Sequence, residues 1–224
     1  MEVAPTVHHF MGGIKISEEN NMSNIKGLFP AGEAEAGVHG GNRLGGNALA
    51  ETQVFGARAG KYAALFALEN DFLPLNQASI EVEFERLLEP FNRKKGVKPH
   101  VLKNKIQDIM WKYVGIVRNE EGLRTALHSL ENLKQEADEM WVSGTRKYNP
   151  EWFGFIEVHN MLLTSELVVK SALFRKESRG AHYRSDYPEI DNKKWLVNIN
   201  INSKKIYTTP VVITRLDPRC KYEK

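Results

Sequence analysis

The sequence is almost without cysteine: Cys220 is the only one among 224 residues. That excludes an internal disulfide and a cysteine-built metal centre. A reducing, cytoplasmic compartment is expected, with Cys220 an exposed thiol of no special role. Long apolar runs are also missing, and nothing approaches the roughly 18 residues that a membrane-spanning helix needs. The opening residues, Met1-Glu-Val-Ala-Pro-Thr-Val-His8, hold neither a basic nor an apolar stretch, so no signal peptide is expected. The charge excess is small, +3 with histidines neutral, which gives no reason to expect nucleic acid as a partner. His8 and His9 are adjacent, but no third ligand stands at a convincing spacing, so no metal is expected. What remains is 42% hydrophobic and 26% charged, an ordinary composition for a globular protein of one large or two small domains.

Glycine, by contrast, is concentrated. The stretch from Ala31 to Glu51 holds six glycines, one histidine, one arginine and three acids. It leads straight into an Ala-rich helical pattern. Glycine lets backbone approach a bulky ligand closely. A helix start behind such a loop offers unpaired N–H groups and partial positive charge. The pattern reads as a cofactor or anion site built from backbone, with Arg43 as its one permanent cation.

The periodicities on either side sketch the fold. Residues 1–30 read as extended structure with turns, with a short buried strand over 25–31 feeding the glycine loop. A helix is expected from Asn47 to about Glu69, with small residues on one face that suit close packing or a flat ligand. Residues 71–77 are a linker. Helices then follow over about 79–92, 99–118 and 120–141, joined by short connections as in an antiparallel bundle. A fourth spans about 150–176, opens on Pro150 and is apolar nearly all round, so it should be well buried. Trp111, Trp141 and Trp152 read as packing residues. Residues 177–188 are charge-dense and read as a solvated loop. The strands Trp195–Ile201 and Lys204–Ile213, with a turn at Asn202-Ser203, read as a β-hairpin. The tail from Asp217 to Lys224 should be loose.

Four separated motifs then agree. Pro5-Thr-Val-His-His-Phe-Met-Gly-Gly13 resembles the P-T-x-H-x-x-M-G-G signature of the succinate dehydrogenase/fumarate reductase flavoprotein family. Gly27-Leu-Phe-Pro-Ala-Gly-Glu33 resembles its G-L-[FY]-x-x-G-E, and His39-Gly-Gly-Asn-Arg-Leu-Gly-Gly-Asn-Ala-Leu49 its H-G-A-N-R-L-G-x-N-S-L. Arg175-Lys-Glu-Ser-Arg-Gly-Ala-His182, followed by Asp186-Tyr-Pro188 and Trp195, is similar to the family's C-terminal region. The order matches, and the resemblance covers nearly the whole chain. It implies a mainly α fold with minor β: the closing segment of an FAD-binding α/β domain over 1–70, a helical bundle domain over 78–190 and a C-terminal β-hairpin over 191–224. The family's leading dinucleotide-binding unit, with its G-x-G-x-x-G turn, has no counterpart here, nor has its capping domain. The implied protein is the C-terminal half of a flavoprotein subunit, inactive without its N-terminal FAD-binding half.

The resemblance also assigns residues. His8 and Arg43 match the family's catalytic-site pair for the substrate carboxylate of a C4 dicarboxylate. Glu33 matches the glutamate that accepts from the FAD ribose hydroxyls. Ala48 and Leu49 match the helix start whose N–H groups face the flavin pyrimidine oxygen. Arg179, His182 and Arg184 would be structural, tying the helical domain to the FAD domain. The implied partners are the N-terminal half and an iron–sulfur electron-transfer subunit, with any membrane association running through partner subunits. L-aspartate oxidase, which shares the histidine, arginine and S-R-G motifs, is the nearest competitor within the class. A non-catalytic helical module that binds an electron-transfer subunit is the alternative outside it. In the isolated chain the glycine loop should be exposed or disordered, and apolar surface on the 48–66 helix should be covered by self-association or a partner.

Overall fold

The structure, a computed structural model, describes residues 7–72, 74–203 and 205–213. Pro5 and Thr6 of the first motif, Lys204 of the hairpin, Cys220 and the tail Asp217 to Lys224 lie outside the described residues. The chain divides into two compact units, Met1–Pro74 and Leu75–Lys224.

The first unit has little regular structure before its helix. Strands β1 (Ile14–Lys15) and β2 (Glu35–Ala36) pair in parallel, with Ile14 opposite Glu35. Gly13 makes that pairing possible, because a Cβ there would stand 2.4 Å from the Ala34 carbonyl oxygen. The buried strand expected over 25–31 does not form. The Ser23 N–H donates to the Leu28 carbonyl at 2.8 Å, the Leu28 N–H to the Ile25 carbonyl at 3.1 Å, and the Ile25 N–H to the Ser23 hydroxyl at 3.1 Å. These local bonds fold the segment onto itself and outcompete a ladder, leaving Ile25 61% exposed. Helix α1 spans Asn47–Glu69, as its pattern indicates. Ala59 on its small-residue face is buried, while Leu49 at its start and Val54 and Leu68 on other sides of the helix are exposed.

The second unit holds α2 (Gln77–Leu88), α3 (Pro99–Val114), β3 (Val117–Arg118), α4 (Glu120–Ala137), α5 (Pro150–Phe174), β4 (Tyr183–Arg184), β5 (Val197–Asn202) and β6 (Lys205–Pro210). Its core is shared by α3, α4 and α5, through Leu102, Ile106, Leu123, Leu130, Val158 and Leu162 among others. Each such buried side chain contributes about 1.5–3 kcal/mol over its exposed state. Helix α2 buries no residue and stands outside this core. It opens two residues earlier than Ser79 because the Asn76 side chain accepts the Ser79 N–H.

Other helices are shorter than their periodicity suggests. Helix α3 stops at Val114, before Gly115, so Val117 leaves the apolar face and pairs in parallel with Tyr183. Helix α4 stops at Ala137, although Met140 still reaches the core from the turn beyond. Helix α5 is not buried all round: Phe153 is 66% and Leu163 56% exposed, since α3 and α4 cover only one side. Trp152 packs on Phe91 and donates to the Leu87 carbonyl, whereas Trp111 is exposed. In the hairpin Asn202 pairs with Lys205, and Ser203 takes φ +54° in the turn.

The charge-dense segment after α5 is not a solvated loop. Arg184 is fully buried. Its Nη1 donates to the Ala172 carbonyl at the end of α5, and its fork grips Asp186, at 2.7 Å from Nε and 2.5 Å from Nη2. Asp186 in turn accepts the Glu120 N–H at the start of α4. A cation thus meets a helix C-terminus and an anion a helix N-terminus, the favourable sense for both dipoles. Glu177, also buried, accepts two bonds from Arg179 and one from Arg175, and Arg175 continues to the Trp195 and Val197 carbonyls at the hairpin. His182 adds no charge to this network: burial and the Arg118 and Arg175 guanidiniums push it down to about 4.

Burial alone would raise the Glu177 carboxyl, but Arg179, the Asp191 N–H and Arg175 together hold it below its ordinary 4.5. A carboxyl lowered on folding stabilises the fold above its unfolded pKa and loses that contribution as pH falls through the folded value. Glu177→Ala should therefore cost the second unit about 3–5 kcal/mol by leaving two guanidiniums without their shared anion. Urea denaturation at pH 7 and pH 3 measures this, and the gap between wild type and variant should narrow at the lower pH.

Candidate functional site

The glycine loop ends on a helix that begins without a side-chain cap. Gly46 occupies the N-cap position at φ +83°, a conformation that glycine adopts without steric cost. The Asn47 N–H donates to the Leu44 carbonyl at 3.2 Å. Among the described residues, the N–H groups of Ala48 and Leu49 have no acceptor, and the Leu49 side chain is 77% exposed. The start of α1 therefore presents free donors and the positive end of a helix dipole. Most of the loop from Gly37 to Asn47 is exposed.

Arg43 lies in this loop with His8 beside it. Nη2 of Arg43 stands 2.8 Å from Nε2 of His8, and Nη1 donates to the Leu44 carbonyl at 3.3 Å. The backbone N–H of Arg43 reaches the Met11 sulfur at 3.0 Å. Nε of Arg43 is buried with no acceptor. A guanidinium only donates, so Nε2 of His8 is the acceptor and its ring proton sits on Nδ1. The two residues paired by sequence are together, but they bond to each other. An incoming carboxylate would take over the Nη donors of Arg43 that His8 and Leu44 now occupy.

Glu33 lies on the 3-10 turn Gly32–Ala34. Its Oε1 accepts the Phe10 N–H at 2.6 Å, and its Oε2 lies 3.7 Å from His9 Nδ1. The carboxylate is half exposed, so Oε2 remains open to hydroxyl donors. His9 meets the ring of His39 edge-on at 5.1 Å, and His39 Nε2 lies 3.9 Å from Glu51 Oε2. Neither this line of side chains nor the burial of Glu35 and Glu51 is visible in the sequence. The acids are far apart along the chain, and only the β1–β2 pairing and α1 bring them together. Among the described residues no three histidine, cysteine or acid side chains are arranged to hold a metal. No helix among them is long and apolar enough to cross a membrane.

The first unit thus carries a glycine loop that ends on an uncapped helix, with an arginine whose Nε has no acceptor, and the second is a unit of helices followed by a hairpin. Residues 103–223 match the family model described as fumarate reductase flavoprotein C-term, and residues 1–49 match the FAD binding domain. The chain belongs to the succinate dehydrogenase/fumarate reductase flavoprotein family, in which FAD is the cofactor, and corresponds to the C-terminal part of such a subunit. It is 47% identical over 208 residues to an uncharacterized FAD-dependent oxidoreductase of Methanocaldococcus jannaschii, covering 92% of this chain and 37% of that protein. It is 43% identical over 204 residues to a fumarate reductase (CoM/CoB) polypeptide of Methanothermobacter marburgensis, covering 91% of this chain and 37% of the relative. Among solved structures, the Mycobacterium smegmatis Sdh1 complex in the apo form is similar with a TM-score of 0.86 at 38% identity, over 97% of this chain and 38% of that one. The chain thus spans little more than a third of the length of the relatives it matches.

The His8–Arg43 geometry has a spectroscopic consequence. Nitrogen-15 NMR of the histidine side chains near pH 8 should show His8 as the Nδ1–H tautomer, with Nε2 shifted as a hydrogen-bond acceptor. In Arg43→Gln that shift should relax toward the exposed-imidazole mixture in which Nε2–H dominates. An unchanged His8 signal would mean that the pair does not form in solution.

Proposed function

We propose that the chain is the C-terminal portion of a flavoprotein oxidoreductase that interconverts succinate and fumarate, working only with an N-terminal FAD-binding half. The observation that carries this reading is Arg43: a loop guanidinium with a buried, acceptor-free Nε, beside His8 and a helix start whose donors are free.

The residues present fit FAD. Glu33 offers a half-exposed carboxylate oxygen suited to a ribose diol, and the Ala48 and Leu49 N–H groups offer donors suited to a pyrimidine carbonyl oxygen. Bound FAD supplies the hydride chemistry itself. The protein's part is electrostatics and alignment. The dipole at the start of α1 favours negative charge on whatever lies against Ala48 and Leu49. Arg43 can hold a substrate carboxylate through parallel N–H bonds, fixing its direction as well as its charge. His8, released from Arg43, can contribute a donor to the same carboxylate as charge builds on it. Holding the dicarboxylate in one orientation removes much of the entropic part of the barrier. The exposed apolar side chains of α1 are surface that the N-terminal half would cover. Electrons would pass to or from an iron–sulfur partner subunit, and any membrane association would run through such partners.

Co-expression with an N-terminal FAD-binding half should give a complex that retains flavin on gel filtration and turns over fumarate or succinate. The chain alone should retain none. Stoichiometric FAD on the isolated chain would sink the requirement for the other half, and turnover of L-aspartate in place of succinate would move the reading to L-aspartate oxidase. In the complex, Arg43→Ala should lower kcat/KM by about 10²–10³-fold, the loss of a buried charge contact worth several kcal/mol. Arg43→Lys should recover little, because an ammonium cannot form the paired bonds. Full activity in Arg43→Ala would remove that residue from the site.

A further inference from the structure

Two buried acids beneath the glycine loop have no role in the reading above. Glu35, in β2, is 5% exposed, and Glu51, in α1, is 4% exposed. Asn21 Nδ2 donates to Glu35 Oε2 at 3.1 Å. Arg58 Nε donates to the Asn21 amide oxygen at 3.1 Å, and its Nη2 to the Glu18 carbonyl at 2.8 Å. Arg58 thus makes its hydrogen bonds to an amide and two carbonyls and none to the acids. Glu35 Oε1 and both Glu51 oxygens are buried with no donor. His39 Nε2, at 3.9 Å from Glu51, is too far for a hydrogen bond.

Two ionised carboxylates in that setting would repel each other and leave lone pairs unsatisfied. One proton between them removes the repulsion and supplies the missing donor. We propose that Glu35 and Glu51 share a proton and so clamp β2 to α1, which makes them positioning residues for the segment between them that carries Arg43 and the open helix start. The clamp is a property of this chain by itself. Only its consequence for catalysis rests on the functional reading above.

Among the described residues, the groups that face the pair are these. From α1 come Glu51 and Arg58, from the 17–22 turn Asn21, and from the loop His39. Ile14, opposite Glu35 in β1, carries no charge. Burial first, then the neighbouring Glu51 carboxyl, push the Glu35 carboxyl up to about 7 from 4.5. A carboxyl raised on folding is held protonated while the unfolded chain already ionises. Its contribution is therefore complete below pH 4.5, declines as pH rises toward 7, and changes no further above that.

Hydrogen exchange on the full chain reads the clamp directly. Protection factors for the hydrogen-bonded backbone N–H groups of β2 and α1 should fall between pH 5 and 7, by up to about tenfold per pH unit, and level off above. In Glu35→Gln, where an amide donates to Glu51 without titrating, the same groups should hold constant protection over that range. With carbon-13-labelled glutamate, infrared difference spectra of the wild-type chain should show a protonated carboxyl band at pH 6 that vanishes by pH 9 and is absent from Glu35→Gln. No protonated carboxyl band in the wild type at pH 6 overturns the proposal, whether or not the variant folds. So does a loss of protection that Glu35→Gln leaves in place. None of these measurements involves flavin, so their failure is separate from failure of the functional reading, which turnover of the complex decides.

Discussion

The first unit depends on a helix end that is left open. A serine, threonine or aspartate N-cap in ordinary extended geometry would occupy a backbone donor and gain about a few tenths of a kcal/mol over glycine. Gly46 occupies that position instead and adds no side chain. In the proposed function, the free N–H groups of Ala48 and Leu49 are what that loss gains, since a donor already paired cannot hold a ligand. An open end is useful only if it is held in place. Arg58, further along α1, reaches back to the Glu18 and Glu19 carbonyls and to Asn21. Glu35 and Glu51 bring β2 to the same helix. The loop is anchored at its base and free at its tip.

The second unit solves a different problem. Its core of α3, α4 and α5 is apolar, whereas the turn that follows α5 is held largely by charge. Arg184 joins the last carbonyls of α5 to Asp186, and Asp186 takes the first N–H of α4. Arg175 and Arg179 surround Glu177 and continue to the hairpin and to Asn192. Arginine suits this work better than lysine, because one planar fork serves a carboxylate and a carbonyl at once. Such networks give little net stability over apolar packing, but they tolerate few alternative arrangements.

The parts of this architecture that are legible from sequence are those governed by local rules. The α1 boundaries follow from glycine ahead of a small-residue periodicity, and the hairpin from alternation around a turn. The pattern places helix α5 but overstates its burial: an apolar periodicity shows what could be covered, not what covers it, and Phe153 and Leu163 remain exposed. The segment 25–31 resembles a strand by composition, and one serine with its neighbours' backbone turns it aside. Residues 177–188 read as solvated because a run of charges usually is, and nothing in their spacing shows that they pair with one another. In the candidate site, His8, Glu33 and Arg43 emerge through motif resemblance. Glu35 does not, since its burial is created by the β1–β2 pairing and by Glu51 from α1.

Glu35 and Glu177 make the physical point together. Both are acids in β or turn segments, and both are almost fully buried. Glu177 has two guanidiniums and a backbone N–H on its oxygens, and its ionised form wins against burial. Glu35 has one neutral amide and a second acid, so burial wins and the proton stays longer. Depth of burial does not separate the two cases; the number and sign of the donors do. A permanently ionised cluster gives a fixed join, which suits the packing of α4, α5 and the hairpin. A pair held by a proton gives a join whose strength varies with pH, and here it lies under the loop that carries Arg43. The two units therefore use the same side-chain type for opposite purposes, and the difference follows from where the arginines stand.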